Sequence, residues 1–272
     1  MSASPFDVTD RVIIITGGLG QLGRQYTLSF LDHGARVVVL DIDVSAQKVE
    51  ERFGERAEAD NVMFVEADIT RRASLEAALE QIVAKWGPPY GLINNAALDS
   101  PPNSPAEENG PFETYPEGSW DKVMEVNAKG VFLCCQVFGG AMAEAGRGAI
   151  VNVCSTYGVG SPNQTIYEYR RNKGEIFYKP VAYSASKSSL LNLTRYLATY
   201  WAGKGVRVNT ATLAGVFNHQ DPEFLDAYCK HVPMGRMANE DEYNGMMVFL
   251  MSDASAYMTG SNMVVDGGWT AW

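Results

Sequence analysis

The stretch Arg11-Val12-Ile13-Ile14-Ile15-Thr16-Gly17-Gly18-Leu19-Gly20-Gln21-Leu22-Gly23 decides how the remaining residues are read. Its β-branched run has the composition of a strand buried on both faces. The run enters a glycine-rich turn and then a helical stretch reaching about His33-Gly34. Gly18-x-Gly20-x-x-Gly23 therefore has a strand before it and a helix after it, the context in which such glycines hold a dinucleotide. They permit a tight turn and bring a pyrophosphate close to backbone N–H groups at the positive end of a helix. Outside that context a glycine loop is only a turn.

The next strand, Arg36 to Leu40, ends at Asp41, 18 residues past Gly23. A carboxylate there can accept from the hydroxyls of an adenosine ribose and would repel a 2′-phosphate. Neither Leu19 nor Ile42 offers a compensating positive charge, so NAD is favoured over NADP, with Arg24 as the residue that could reverse the preference. A helix over about 44–56, a strand at Val62–Val65 running on to Asp68-Ile69, and a helix over 73–86 follow. Gly91-Leu92-Ile93-Asn94-Asn95-Ala96-Ala97 is a short strand ending in small residues that leave room for a ligand. Strands alternating with helices give an α/β fold, a doubly wound parallel sheet with helices on both faces and ligands beyond the carboxyl ends of its strands.

Further strands are expected at 149–155, 206–211 and 263–266, and helices at about 120–145 and 240–251. Val181-Ala182-Tyr183-Ser184-Ala185-Ser186-Lys187 opens one more long helical run. Tyr183 and Lys187 are four residues apart and so share one helix face. A phenol of pKa about 10 shuttles protons poorly at neutral pH, and an ammonium one turn away favours its ionised form. Taken alone, Tyr-x-x-x-Lys is a weak signal.

In combination these residues become specific. The Thr16–Gly23 loop, Asp41, Asp68-Ile69, Asn94-Asn95-Ala96, Asn127, Ser155, Tyr183-x-x-x-Lys187 and Asp266-Gly267-Gly268 fall in the order found in the single-domain branch of the short-chain dehydrogenase/reductase family, which the whole chain resembles. The resemblance implies one Rossmann-type domain over residues 1–272 and hydride exchange between a secondary alcohol and a nicotinamide cofactor. It gives Tyr183 the role of acid–base, has Lys187 tune that tyrosine and contact the ribose, and has Ser155 hold the substrate oxygen. Asn127 is expected to hold a water that links Lys187 to solvent. Gly17, Gly18, Gly20, Gln21, Leu22, Gly23, Asp41, Ile42, Asp68, Ile69, Asn95, Ala96, Ala97, Tyr183, Lys187, Gly215 and Val216 are the expected cofactor contacts. The family's oligomers imply a dimer or tetramer.

Three positions depart from the pattern. Gln21 stands where this branch carries a second glycine, giving the spacing of the larger sugar-nucleotide epimerases and dehydratases. Ala97 replaces the glycine of Asn-Asn-Ala-Gly, and Ala214 the proline before Gly215. The chain is too short past Lys187 for the added substrate domain of the larger enzymes.

Three segments near 98–119, 157–180 and 217–237 read as insertions on the substrate side. Ser155 and Tyr183 are 28 residues apart, so the segment between them must emerge at the pocket rim. Its cluster Tyr167-Glu168-Tyr169-Arg170-Arg171-Asn172-Lys173 has two readings: a solvated or subunit-contacting loop, or a grip in which Arg170, Arg171 or Lys173 holds a substrate phosphate or carboxylate. The part from Asn218 to the C-terminus is similar to oxidoreductases of flagellin and surface-glycan modification. That likeness points to a phosphorylated, nucleotide-linked or acidic sugar, although a polyol or hydroxy acid fits the same residues. The terminal Gly268-Trp269-Thr270-Ala271-Trp272 is expected at a subunit interface or capping a pocket.

A net charge of −10 argues against a general nucleic-acid binder. Four cysteines without Cys-x-x-Cys spacing are expected as buried thiols, and three scattered histidines give no metal site. No apolar run approaches a membrane span and no signal-peptide pattern opens the chain, so a cytoplasmic protein is expected. Rival functions are a sugar epimerase or dehydratase with retained NAD, and a scaffold that keeps the fold without chemistry.

Overall fold

The structure is a computed structural model and describes residues 4–99 and 106–272. Met1–Ala3 and the Ser-Pro-Pro-Asn-Ser-Pro part of the 98–119 segment lie outside the described residues.

Strand β1 (Val12–Thr16) pairs in parallel with β2 (Arg36–Asp41) on one side and β4 (Gly91–Asn94) on the other. With β3 (Val62–Glu66), β5 (Gly148–Ser155), β6 (Val206–Leu213) and β7 (Asn262–Val265), the sheet runs β3-β2-β1-β4-β5-β6-β7, parallel throughout. Side chains alternate across a strand, so strand parity sorts the core into two layers. Ile13, Ile15, Val37, Val39 and Ile93 face α1 (Gln21–Asp32), where Tyr26 and Phe30 meet them. Ile14, Val38, Leu40, Leu92 and Val208 face the opposite layer, which includes Leu75 and Ile82 of α3 (Arg72–Trp86). The chain turns back on itself between β1 and β4, so their following loops diverge and open a crevice.

The sequence reading holds for every strand and shifts several helices. Helix α2 (Ala46–Phe53) is shorter than expected and passes into a tight turn over Gly54–Glu58. Helix α4 (Glu117–Glu144) starts earlier than expected and is long and apolar enough, by length and composition, to cross a membrane. Here it serves as a core helix, with Leu133, Phe138 and Met142 buried against the sheet. Helix α5 (Val181–Trp201) lies beside it and contributes Leu190, Leu197 and Trp201 to the same layer. After α6 (Pro222–Cys229), which opens on the expected Asp221-Pro222-Glu223 start, α7 spans only Asn244–Met251. Residues before it are held in turns because Glu242 accepts from Asn239 N–H at 2.7 Å and is paired with Arg236 at 2.6 Å.

A chain of buried polar groups fixes α5 against the sheet. Asn94 donates to Asn152 at 2.8 Å, Asn152 to Thr194 at 2.9 Å, and the Thr194 and Thr210 hydroxyls are 2.8 Å apart. Paired in this way, polar groups can lie in the core without a large desolvation cost, and they specify one register.

Candidate active site

The glycine turn leaves β1 with its backbone packed too tightly for side chains. Gly17 has φ +62°, and a Cβ on Gly23 would lie 2.2 Å from the Gly17 carbonyl oxygen. The facing turn locks onto it. Asn95 and Ala96 both donate backbone N–H to the Thr16 hydroxyl at 3.0 Å, and the Asn95 amide donates to the Thr16 and Gly17 carbonyls at 3.0 and 3.2 Å. Ala97 in place of glycine is accommodated because its φ is negative. Gln21, at the other departure, donates to the Phe217 carbonyl at 2.9 Å and bridges the turn to the segment after β6.

Asp41 stands beside this cradle. Its carboxylate accepts from Leu19 N–H at 3.0 Å and from Ile42 N–H at 2.8 Å, with the Ile42 side chain exposed next to it and that of Leu19 buried. Two cations on this side are committed elsewhere: Arg24 Nε donates to the Arg52 carbonyl at 2.5 Å, and Lys48 pairs with Asp43 at 2.6 Å. Asp68 is held in a turn by Thr70, whose N–H and hydroxyl it accepts at 2.9 and 2.7 Å. Ile69 is turned into the core, so only its backbone remains for a ligand. Gly215 and Val216 form a small bridge with Ala238; the Gly215 carbonyl accepts from Ala238 N–H, and the Val216 carbonyl from Gln220 at 2.8 Å. A backbone cradle that side chains would fill, with a carboxylate at its rim, fits a dinucleotide.

The expected catalytic groups converge at the carboxyl end of β5. Ser155 closes that strand, and its oxygen accepts from Tyr157 N–H at 3.1 Å, capping a one-turn helix at Thr156–Val159. Tyr183 sits in the first turn of α5 and hydrogen-bonds Ser155. Burial pushes the Tyr183 phenol well above its ordinary pKa and the nearby Asp99 adds to this, while the Ser155 hydrogen bond works against both. Lys187 is buried, with its Nζ 5.9 Å from the centroid of the Tyr183 ring and donating to the Val153 carbonyl at 2.8 Å. Burial lowers its pKa to about 8.

Asn127 lies in a π turn (Glu125–Gly130) of α4. Its amide nitrogen donates to the Leu98 carbonyl at 2.8 Å and to Ser186 Oγ at 3.1 Å, and its oxygen accepts from Leu98 N–H at 2.7 Å. The side chain thus clamps the loop after β4 to α5, and with its amide so engaged, a relay water would be left to its backbone groups.

Arg170, Arg171 and Lys173 are used within the protein. Arg170 pairs with Glu175 at 2.7 Å and lies over the Phe177 ring. Arg171 donates to the Phe177 and Gln164 carbonyls at 2.9 and 2.8 Å, and Lys173 pairs with Glu223 of α6. They staple together a lobe whose core is aromatic: Tyr167 contacts Phe177 and Phe224, and Tyr228 stacks on Trp269 at 4.6 Å. Trp269 also meets Tyr157 edge-on, so this part of the C-terminal tail packs on its own chain's lobe while Trp272 stays exposed. The sequence reading missed Tyr157, Asp99 and Lys179. Lys179 stands as far before Tyr183 as Lys187 stands after it, the one signal that could have marked it. All four cysteines are free thiols; Cys134, Cys135 and Cys154 are buried, and Cys229 is partly so.

The family model described as enoyl-(acyl carrier protein) reductase matches residues 20–270. D-threitol dehydrogenase of Mycolicibacterium smegmatis is 32% identical over 97% of this chain and 95% of its own. Galactitol 2-dehydrogenase (L-tagatose-forming) of Cereibacter sphaeroides is 32% identical over 95% of this chain and 94% of its own. The crystal structure of a short-chain dehydrogenase from Leptospira borgpetersenii with bound NAD+ superposes with a TM-score of 0.83 at 30% identity, covering 99% of this chain and 96% of that one. Nothing in these matches supports the likeness to surface-glycan oxidoreductases. With its cradle, its Ser155–Tyr183–Lys187 cluster and relatives of matching length, the chain belongs to the short-chain dehydrogenase/reductase family, whose oxidoreductases interconvert alcohols and ketones with NAD(P).

Proposed function

We propose that the protein is an NAD-dependent dehydrogenase of a neutral, open-chain polyol, acting on one secondary hydroxyl. The reading is carried by the convergence of Ser155 and Lys187 on the partly buried phenol of Tyr183. Bound NAD supplies the hydride acceptor. Ser155 orients the substrate oxygen, and Tyr183 takes its proton as the carbonyl forms. The Lys187 charge would favour the phenolate, while burial and Asp99 hold the phenol protonated. Gly17, Gly18, Gly20, Gln21, Leu22 and Gly23 would hold the pyrophosphate; Asp41 and Ile42 the adenosine side, with Asp68 and the Ile69 backbone beyond them. Asn95, Ala96, Ala97, Gly215, Val216 and Lys187 would line the nicotinamide side.

Asp41 supports NAD over NADP, because Arg24 and Lys48 have partners other than an incoming phosphate. A neutral substrate is preferred to the anionic sugar of the sequence reading, since Arg170, Arg171 and Lys173 are engaged within the lobe. The threitol and galactitol specificities of two relatives agree with that choice. We retain a dimer or tetramer as part of the reading; the stacked, exposed Tyr196 and Tyr200 of α5 are suited to a subunit contact.

Absorbance at the NADH band tests this with C3–C6 polyols, sugar phosphates, and both cofactors. Net reduction of NAD by polyols is expected. Tyr183→Phe should lower the rate about 10²–10⁴-fold while leaving NAD affinity intact. Sugar conversion without net NADH would make the protein an epimerase or dehydratase, and cofactor binding without any turnover a scaffold.

A further inference from the structure

One charged group in the site has no part in the chemistry above. The Lys179 side chain is 9% exposed and forms an ion pair with Asp99, whose side chain is 55% exposed. Its Nζ lies 4.8 Å from the centroid of the Tyr183 ring, closer than that of Lys187, and 6.0 Å from that of Tyr157. The backbone there cannot swing away easily. The Gln164 side chain accepts from Lys179 N–H at 2.9 Å and donates to its carbonyl at 3.1 Å, and Pro180 follows as the cap of α5. An ammonium has three donors. Among the described residues, Asp99 is the one acceptor that reaches Lys179 Nζ. A nearly buried cation with donors to spare, held against the reacting phenol, is a site built for an acceptor on the substrate.

We infer that Lys179, tethered by Asp99, is a specificity residue that donates to an uncharged hydroxyl on the carbon beside the one that reacts. The inference rests on the dehydrogenase reading and narrows it to substrates with adjacent hydroxyls. Charge selects hydroxyl over carboxylate. Asp99 already balances Lys179, so a substrate carboxylate would arrive beside a like charge, whereas a hydroxyl needs only a donor.

The test uses the full chain with NAD and two four-carbon alcohols, D-threitol and 2-butanol, which lacks the neighbouring hydroxyl. The wild type should prefer threitol. Lys179→Met should lower kcat/KM for threitol about 10- to 100-fold, the worth of a hydrogen bond to a charged donor, and change that for 2-butanol less than about threefold. Asp99→Asn, at a half-exposed position, should raise kcat/KM for the carboxylate 2,3-dihydroxybutanoate relative to threitol by about 10-fold. Equal losses on both alcohols in Lys179→Met would make Lys179 a support for Tyr183 and overturn the inference; so would no loss on threitol. If Lys179→Met does not fold, Asp99→Asn decides alone, and an unchanged preference there refutes it. Wild-type turnover of neither alcohol would instead remove the dehydrogenase reading on which the inference stands.

Discussion

The two halves of the site are built from different materials. On the cofactor side, between β1 and β4, backbone meets backbone: glycines without side chains, a threonine hydroxyl and an asparagine amide hold two turns together. On the side proposed for the substrate, the insertion after β5, helix α6 and the C-terminal tail meet through aromatic rings, with ion pairs at their margins. The first half tolerates almost no added atom. The second is held by packing that can be trimmed, because rings and ion pairs relax around a loss in ways that a backbone contact cannot.

Substitutions in each half should separate them. The largest effect is expected at Gly23→Ala. Its methyl would press on the Gly17 carbonyl at 2.2 Å, so the turn must open. NAD affinity should fall about 100-fold or more, with about 1–3 kcal/mol lost in stability. Calorimetric titration checks this; near-normal affinity would show that the cradle is softer than its geometry implies. On the other side, Trp269→Ala removes the ring stacked on Tyr228 and touching Tyr157. Stability should drop by about 2 kcal/mol and KM for the alcohol rise several-fold, while NAD affinity is unchanged. An equal effect on NAD would mean that the halves are coupled.

The smallest effect on stability lies where the halves meet. Lys187 has its pKa lowered from 10.5 to about 8 by burial. Below pH 8 both folded and unfolded states carry the charge, and the folded state bears the desolvation cost. Between pH 8 and 10.5 the unfolded chain binds more protons than the folded one, so the cost fades and stability rises with pH. Lys187→Met should therefore raise stability by about 1–2 kcal/mol at pH 7 and by little at pH 10.5, while abolishing activity. Thermal melts at the two pH values check the sign; a variant equally destabilised at both would show that the bond to Val153 outweighs the burial.

The legible parts of the sequence share a physical origin. Thr16 to Gly23, Asp41, and Tyr183 with Lys187 announce themselves because their roles depend on local geometry: a turn, a strand end, one helical repeat. Arg170, Arg171 and Lys173 keep two readings in the sequence, a solvated or subunit-contacting loop and a substrate grip, for the converse reason. Glu223, the partner of Lys173, is 50 residues away, and the Gln164 and Phe177 carbonyls that hold Arg171 are backbone groups that no pattern of charges marks. The ring of Trp269 likewise has its neighbours more than 30 residues away.

The sequence by itself determined where the seven strands lie and that a glycine turn follows the first of them, because apolar runs and glycine turns are set within a few residues. Only the tertiary structure decided what Lys179 and Asp99 do. They lie 80 residues apart, and Lys179 stands just outside α5, whose cap is Pro180. A contact between two loops is chosen by everything that folds between them, and no local pattern records it.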